Sequence, residues 1–236
     1  MGRLIPKSAV IGLSGGMDSA TLLGLLLEQG YSMHCCIVNY GSKHNKWENA
    51  AAHSIIDFYQ KLGAPVFPHQ IDLEPVFADF KSNLLKEQGQ IPEGHYNSDS
   101  MKLTVVPGRN LIFASIMAGL AESVEAKIIA LGVHSGDHHI YPDCRKEFVK
   151  ALDSTIYLSS DRKVQVLCPL IDDDKTSILK KGYSLNPPVP YGKTRTCYKD
   201  QELSCGKCGS CQERLEAFRN IGKQDPIWYE IPLGVM

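Results

Sequence analysis

Near its start the chain carries a turn whose residue types and spacing suit phosphate binding. Residues 13–19 read Leu-Ser-Gly-Gly-Met-Asp-Ser, between an apolar run that predicts a strand and a longer one that predicts a helix. Gly15 and Gly16 allow the backbone to approach an anion, and N–H groups at a helix start favour negative charge. Ser14 and Ser19 can donate their hydroxyls. The turn therefore predicts a site for nucleotide phosphates.

The spacing matches neither the P-loop nor the dinucleotide-binding glycine pattern. It resembles the PP-loop of ATP pyrophosphatases, which split ATP into AMP and pyrophosphate in order to adenylate a substrate. This resemblance implies catalytic roles for Ser14, Asp18 and Ser19. It also implies an ATP-binding segment made of Leu13, Ser14, Gly15, Gly16, Met17, Asp18, Ser19, Ala20, Thr21, Leu22 and Leu23.

Four of the eight cysteines form a second cluster late in the chain, at Cys197, Cys205, Cys208 and Cys211. Consecutive C-x-x-C turns present thiolates to one ion, and tetrahedral Zn²⁺ takes four such ligands. Because four cysteines leave no open position, the cluster predicts one structural zinc per chain. An iron–sulfur cluster is the alternative, but nothing else in the chain indicates electron transfer.

Further polar residues stand where predicted helices begin. Arg109 precedes a predicted helix with Asn110 as its N-cap, and it is a candidate clamp for phosphate or carboxylate. Lys175 lies at the start of another predicted helix and is within reach of phosphate. We include both Arg109 and Lys175 among the candidate catalytic residues.

The densest polar segment of the chain spans residues 134–145. Its histidines, aspartates and cysteine leave a metal site open, but their spacing fits no standard one, so we favour substrate recognition. Asp137 and Asp143 are candidate hydrogen-bond acceptors, and Arg145 is a candidate anion partner.

The elements that must position these residues alternate between strand and helix. Such alternation predicts an α/β fold, with a Rossmann-like parallel sheet and helices on both faces. Ligands then bind beyond the carboxyl ends of the strands, where the glycine-rich turn and segment 134–145 both fall. The predicted strands cover residues 9–13, 33–39, 65–71 (an edge strand, given its prolines), 127–133 and 164–168. A short helix is predicted within residues 75–86.

Composition narrows the class of protein. With 236 residues, 43% hydrophobic content and a net charge of −1, the chain reads as globular, with no signal for a nucleic-acid or membrane partner. Residues 1–6 lack a signal-peptide pattern and the cysteines are numerous, which predicts the cytoplasm.

We divide the chain into an ATP-binding α/β domain, 1–189, and a zinc-binding region, 190–236. Its apolar end, with Trp228, Tyr229, Ile231 and Leu233, is expected to pack on the domain or on a second subunit.

Taken together, these motifs resemble the 7-cyano-7-deazaguanine synthase family of PP-loop enzymes, whose products enter queuosine and related deazapurine nucleosides. The matching stretches run in order over nearly the whole chain. They are residues 13–19, Tyr40-Gly41 with His44 and Glu48, residues 106–110, residues 141–145 with Phe148, residues 168–170 with Lys175, residues 196–198, residues 205–211, and Asp225-Pro226.

The resemblance implies a carboxylate-to-nitrile reaction. ATP with Mg²⁺ would adenylate 7-carboxy-7-deazaguanine, ammonia would give the amide, and a second ATP would activate the amide for loss of AMP as the nitrile forms. Arg109, Asp137, Tyr141, Asp143 and Arg145 are the implied substrate-binding residues, and the implied assembly is a homodimer.

Residues 137–140 depart from the family pattern: they read Asp-His-His-Ile where many members have Asp-Tyr-Ser-Gly. An alternative is therefore a relative that stops at the amide, for DNA modification or conjugation. A PP-loop enzyme that modifies tRNA is a further alternative, and a zinc-knuckle module that binds nucleic acid is a third.

Overall fold

The computed structural model describes residues 7–95 and 98–231. Two of the predictions concern residues outside these ranges. One is that residues 1–6 carry no targeting pattern, and the other is that Leu233 packs on the domain or on a second subunit. Within them, no helix is long and apolar enough to cross a membrane.

A parallel sheet forms the centre of the molecule. Its five strands lie in the order β3-β2-β1-β4-β5, and every neighbouring pair is parallel. The predicted α/β fold is confirmed, with the proline-containing strand at an edge as expected. The strands are β1 Ser8–Gly12, β2 Ser32–Asn39, β3 Val66–Asp72, β4 Ile128–Ala130 and β5 Gln165–Leu167.

Helices cover both faces of the sheet because successive strand residues point to opposite sides. The α-helices are α1 Met17–Glu28, α2 Asn45–Lys61, α3 Glu74–Phe77, α4 Arg109–Ser123, α5 Lys146–Ser159, α6 Lys175–Ser184 and α7 Gly209–Asn220. Ile11 packs with α1, α2 and α6, whereas its neighbour Val10 packs with α4 and α5. Short 3₁₀ helices occupy Asp99–Thr104, Ser135–Asp137, Pro142–Cys144 and Tyr191–Lys193.

Two local predictions were wrong, and tertiary contacts explain both. The helix predicted within residues 75–86 ends at Phe77, because the later backbone bonds instead to residues 41–43, as in Lys86 N to Gly41 O at 3.0 Å. Asn110 does not cap α4, which begins one residue earlier with Gly108 as N-cap. The backbone N–H of Asn110 instead donates to Asp143 Oδ2 at 3.0 Å, so a carboxylate distant in sequence holds the N-terminus of α4.

The segment after residue 189 packs into the same core as α1. Tyr191 Oη lies 2.8 Å from Thr21 Oγ1, and Phe218 of α7 belongs to the same apolar cluster. The fully buried Arg214 donates to Asp225 from Nε and Nη2, at 2.7 and 2.9 Å. This ion pair fixes the C-terminal chain against α7. The boundary between 1–189 and 190–236 stays a prediction.

The glycine-rich turn after β1 touches the start of α2 directly. Gly15 has φ +79°, and a Cβ on it would lie 2.7 Å from Glu48 O and 2.8 Å from Ala52 N. Its carbonyl accepts from Arg195 N at 2.8 Å. Only glycine combines this conformation with so close an approach.

We therefore expect Gly15→Ala to lower Tm more than Gly30→Ala does. Gly30 has φ +82° but nothing within 4 Å of a Cβ, so alanine there costs only left-handed strain of about 1–2 kcal/mol. At Gly15 the clash with the α2 backbone adds to that strain. Thermal unfolding of the two variants measures the difference, and equal losses of Tm would contradict the contact.

Candidate active site

A cleft of about 240 Å³ opens at the carboxyl ends of the strands. The segments after β1, β2 and β4 line it, together with the starts of α4 and α6 and with parts of residues 195–213. The glycine-rich turn, the polar segment after β4 and the cysteine region thus meet at one site. This is where a parallel sheet places its ligands.

The glycine-rich turn directs the N-terminus of α1 into the cleft. Gly16 is the N-cap of α1, and no side chain of the described residues caps this helix. Ser14 Oγ accepts from Gly16 N at 3.2 Å and lies 3.1 Å from Ser19 Oγ, which donates to Gly16 O at 3.2 Å. The hydroxyls therefore stand beside the first N–H groups of α1, an arrangement that suits phosphate oxygens.

A buried lysine stands opposite this turn, in a ring of acidic groups. Lys175 Nζ donates to Asp18 Oδ2 at 2.7 Å and lies 3.4 Å from Glu213 Oε2. His134 completes the cluster, with Nε2 3.2 Å from Lys175 Nζ and 3.4 Å from Asp137 Oδ2. His134 Nδ1 accepts from Gly136 N, and Nε2 faces both the Lys175 ammonium and the carboxylates. We call Ser14, Asp18, Ser19 and Lys175 the phosphate side of the cleft.

Burial and charge set the protonation states on this side. Burial alone would raise the pKa of Asp18, but Lys175 and His134 outweigh it and hold the pKa below its usual value. Burial likewise opposes the charge on Lys175, whereas Asp18 and Glu213 raise its pKa above the ordinary value. Burial raises the pKa of Glu213. Asp18 Oδ1 is buried without a hydrogen-bond partner among the described residues, so the carboxylate keeps an oxygen for a ligand or cation.

The other wall of the cleft is aromatic and holds a partly buried cation. Arg109 Nη1 donates to Tyr40 Oη at 3.4 Å, with its guanidinium carbon 5.6 Å from that ring centre. No ion pair within residues 7–95 and 98–231 includes Arg109. Burial raises the pKa of Tyr40 to about 12, so its phenol is neutral. The nearby carboxylate of Asp143, which accepts from Asn110 N, acts on the Arg109 cation electrostatically without forming an ion pair with it. We call Tyr40, Phe113, Tyr141, Tyr198 and Arg109 the aromatic side.

The structure brings all five predicted catalytic residues to this cleft, namely Ser14, Asp18, Ser19, Arg109 and Lys175. Asp137 and Tyr141 line it too. Of the predicted ATP-binding segment, Leu13, Gly16 and Met17 also line the cleft, whereas Gly15 and residues 20–23 lie behind it. These assignments to ligands stay predictions.

Two predicted substrate-binding residues lie outside the cleft lining. The carboxylate of Asp143 is bound to the N-terminus of α4, next to Arg109. Arg145 is exposed, and its Nε donates to His138 O at 3.0 Å. Both residues hold segments that border the cleft.

The four clustered cysteines are buried together beside the cleft. Their sulfur atoms all lie within 4.8 Å of one another, as one shared metal ion requires. The cluster can therefore bind a metal. It also fixes the start of α7, the helix that carries Glu213 towards Lys175.

Comparison with known proteins agrees with this geometry. A sequence model of the family "Queuosine biosynthesis protein QueC" matches residues 8–222. The chain belongs to this family. It is 42% identical over 224 residues to the 7-cyano-7-deazaguanine synthase of Marinomonas sp. (strain MWYL1), covering 95% of this chain and 99% of that one. It is 45% identical over 227 residues to that of Caldicellulosiruptor saccharolyticus, covering 95% and 96%.

Solved structures of lower identity share the fold alone. NMN synthetase from Francisella tularensis aligns with a TM-score of 0.52 at 14% identity, covering 93% of this chain and 79% of that one. The U34-tRNA thiolase NcsA from Methanococcus maripaludis aligns at 0.51 and 17% identity, covering 93% and 68%. The family membership thus rests on sequence.

The sequence prediction did not single out Glu213, Arg195 or His134, although all three are important to the site. Glu213 and Arg195 flank the cysteine cluster and reach the cleft only through the fold. His134 lies in the polar segment already noted, immediately after β4. Its position at the end of a central strand is the one local signal that could have selected it.

Proposed function

We propose that this chain converts 7-carboxy-7-deazaguanine and ammonia to 7-cyano-7-deazaguanine at the expense of ATP. The relatives that it matches over nearly their whole length are named for that product. One structural observation supports the proposal most directly: the partly buried Arg109, which forms no ion pair among the described residues, shares a cleft with the glycine-rich turn. A carboxylate held by Arg109 is placed to meet a nucleotide held by that turn.

The phosphate side holds the polyphosphate of ATP in this proposal. The α1 N–H groups, Ser14, Ser19 and Lys175 bind the pyrophosphate as it leaves, and they stabilise its developing charge. Asp18 Oδ1, which has no partner among the described residues, suits a Mg²⁺ ion bound to the nucleotide. When bound, Mg²⁺ neutralises phosphate charge.

The aromatic side holds the deazapurine. Flat rings pack against tyrosine and phenylalanine faces, and Arg109 pairs with the substrate carboxylate through charge-assisted hydrogen bonds. Asp137 is placed to accept from the N1–H and amino group of a guanine-like base. Asp143 and Arg145 support this wall from behind, since each binds backbone at its edge.

Chemistry then proceeds in two activations. The carboxylate attacks the α-phosphorus of ATP and pyrophosphate leaves, after which ammonia displaces AMP to form the amide. The amide oxygen attacks the α-phosphorus of a second ATP, and loss of AMP leaves the nitrile. Free ammonia is the proposed nitrogen source.

Zinc is the metal that we propose for Cys197, Cys205, Cys208 and Cys211. Four buried thiols are a donor set that Zn²⁺ favours, and they leave no position for a reactant. When bound, the ion serves a structural role by holding the thiolates of the turn before α7 together. A cytoplasmic location keeps such thiols reduced, and we propose that compartment.

A homodimer is the proposed assembly. The family resemblance implies it, and the indole of Trp228 is 82% exposed in the single chain. Tyr229, by contrast, packs against the cysteine cluster, and its hydroxyl donates to Asp225 Oδ2 at 2.6 Å. Part of the apolar C-terminal segment therefore packs within the chain and part remains for a second subunit.

Two alternative enzymes are weighed against this proposal. The His138-His139 departure favours an enzyme that stops at the amide. A tRNA-modifying enzyme with a catalytic cysteine pair is less well supported, because burial raises the pKa of Cys36 to about 12 and also raises that of Cys144. Both thiols line the cleft, and both stay protonated near neutral pH.

Mass spectrometry of the product tests the function. With 7-carboxy-7-deazaguanine, ATP and ammonium, we expect the nitrile together with AMP and pyrophosphate. Asp18→Ala is expected to abolish AMP release because it removes the partner of Lys175. Asp57→Ala, at an exposed position of α2, is the control and should retain activity. Amide without nitrile would favour the alternative, and the absence of AMP would refute the proposal.

Metal analysis tests the cysteine cluster. We expect one zinc per chain, lost in Cys208→Ser with a lower Tm, because the remaining thiols cannot complete a tetrahedral site. Cys168→Ser is the matched control, since Cys168 lies outside the cluster. Full zinc content in Cys208→Ser, or iron in the unmodified protein, would contradict this assignment.

A further inference from the structure

The buried histidine at the start of α2 has an unused proton-accepting nitrogen. His44 lines the cleft, its side chain is 2% exposed, and Nε2 lies 3.3 Å from Glu48 Oε1. Nδ1 is buried and has no hydrogen-bond partner within the described part of the chain. Such an unpaired buried polar atom is destabilising, and a ligand hydrogen bond would recover the loss. With the ring proton on Nε2 facing Glu48, Nδ1 is left as an acceptor.

This histidine adjoins the proposed carboxylate site. Its ring centre lies 5.4 Å from that of Tyr198, a member of the aromatic side. Glu48 acts electrostatically on Tyr40, the same phenol that accepts from Arg109. The ionisable groups that face His44 are thus Glu48 from α2 and Tyr198 from the segment before the cysteines, with Tyr40 close by. Glu48 alone among them is acidic near neutral pH.

The proposed reaction needs a proton acceptor most in its last step. The adenylated amide, R–C(=NH₂⁺)–O–AMP, becomes R–C≡N when its C–O bond breaks and that electron pair leaves on AMP. The nitrogen releases both of its protons as the triple bond forms. Amide formation, by contrast, starts from neutral ammonia and releases one proton. A base beside the reacting carbon therefore matters more for the nitrile than for the amide.

We propose that Nδ1 of His44 accepts a proton from the substrate nitrogen as the nitrile forms, with Glu48 as the positioning residue that stabilises the imidazolium. This inference rests on the proposed function. His44 takes one proton in the step and passes it to solvent, and the second proton leaves with water. Among the described residues that line the cleft, only His44 has an acceptor nitrogen without a partner on one side of its ring and a carboxylate facing the other ring nitrogen.

His44→Gln tests the acceptor, with ATP and either the acid or the amide supplied as substrate. We expect the variant to form amide from acid and to accumulate it, while nitrile formation falls by about 10²–10⁴-fold, the usual contribution of a positioned base. His53→Gln, an exposed histidine on the same helix, is the matched control and should form nitrile at the unmodified rate.

Glu48→Gln keeps the inference falsifiable if His44→Gln does not fold. Because the Glu48 carboxylate stabilises the imidazolium that forms in the last step, its removal should slow nitrile formation from the amide more than amide formation from the acid. The two rates are measured separately with the acid and with the amide as substrate. A merely structural role for Glu48 would slow both steps by the same factor.

The outcomes separate this inference from the function on which it rests. A folded His44→Gln that forms nitrile at the unmodified rate, or a Glu48→Gln that slows both steps by the same factor, would overturn the assignment while the function stands. An unmodified protein that forms no nitrile from acid or amide would overturn both.

Discussion

The backbone of Gly15 is the point at which three parts of the molecule meet. Its left-handed conformation turns the chain from β1 into α1, and it lies against the main chain of α2 where a Cβ would not fit. Its carbonyl accepts from Arg195, in the segment that leads to the cysteines. One peptide unit therefore holds three parts in register: the glycine-rich turn, the helix of His44 and Glu48, and the wall formed by residues 195–213.

Charge is distributed unevenly across the cleft that results. On the phosphate side the Lys175 cation is shared among carboxylates, which keeps Asp18 ionised in spite of burial. On the aromatic side the Arg109 cation faces neutral phenols. Such an asymmetry suits a reaction that joins a carboxylate to a polyphosphate, because each anion finds a separate cation and neither must displace the other.

Much of this site was predictable because its signals are local. The glycine-rich turn and the cysteine pairs lie within a few residues, and parallel strands bring their carboxyl ends to one edge. Contacts between distant segments were not predictable. Glu213 reaches Lys175 only because α7 packs against α6, and Asp143 replaces Asn110 at the end of α4 from 33 residues away. No local pattern encodes such a pairing, so the sequence prediction found the turn and the cysteine cluster that border the cleft but not the groups that hold them.

In the proposed reaction, one cleft transfers AMP to the carboxylate oxygens of 7-carboxy-7-deazaguanine. A substrate with ¹⁸O in both carboxylate oxygens tests it most directly, with the label in AMP read by mass spectrometry. The account predicts that every AMP formed along with product carries one ¹⁸O, first from the acid and then from the amide. AMP without label, formed at the same rate as product, would contradict it.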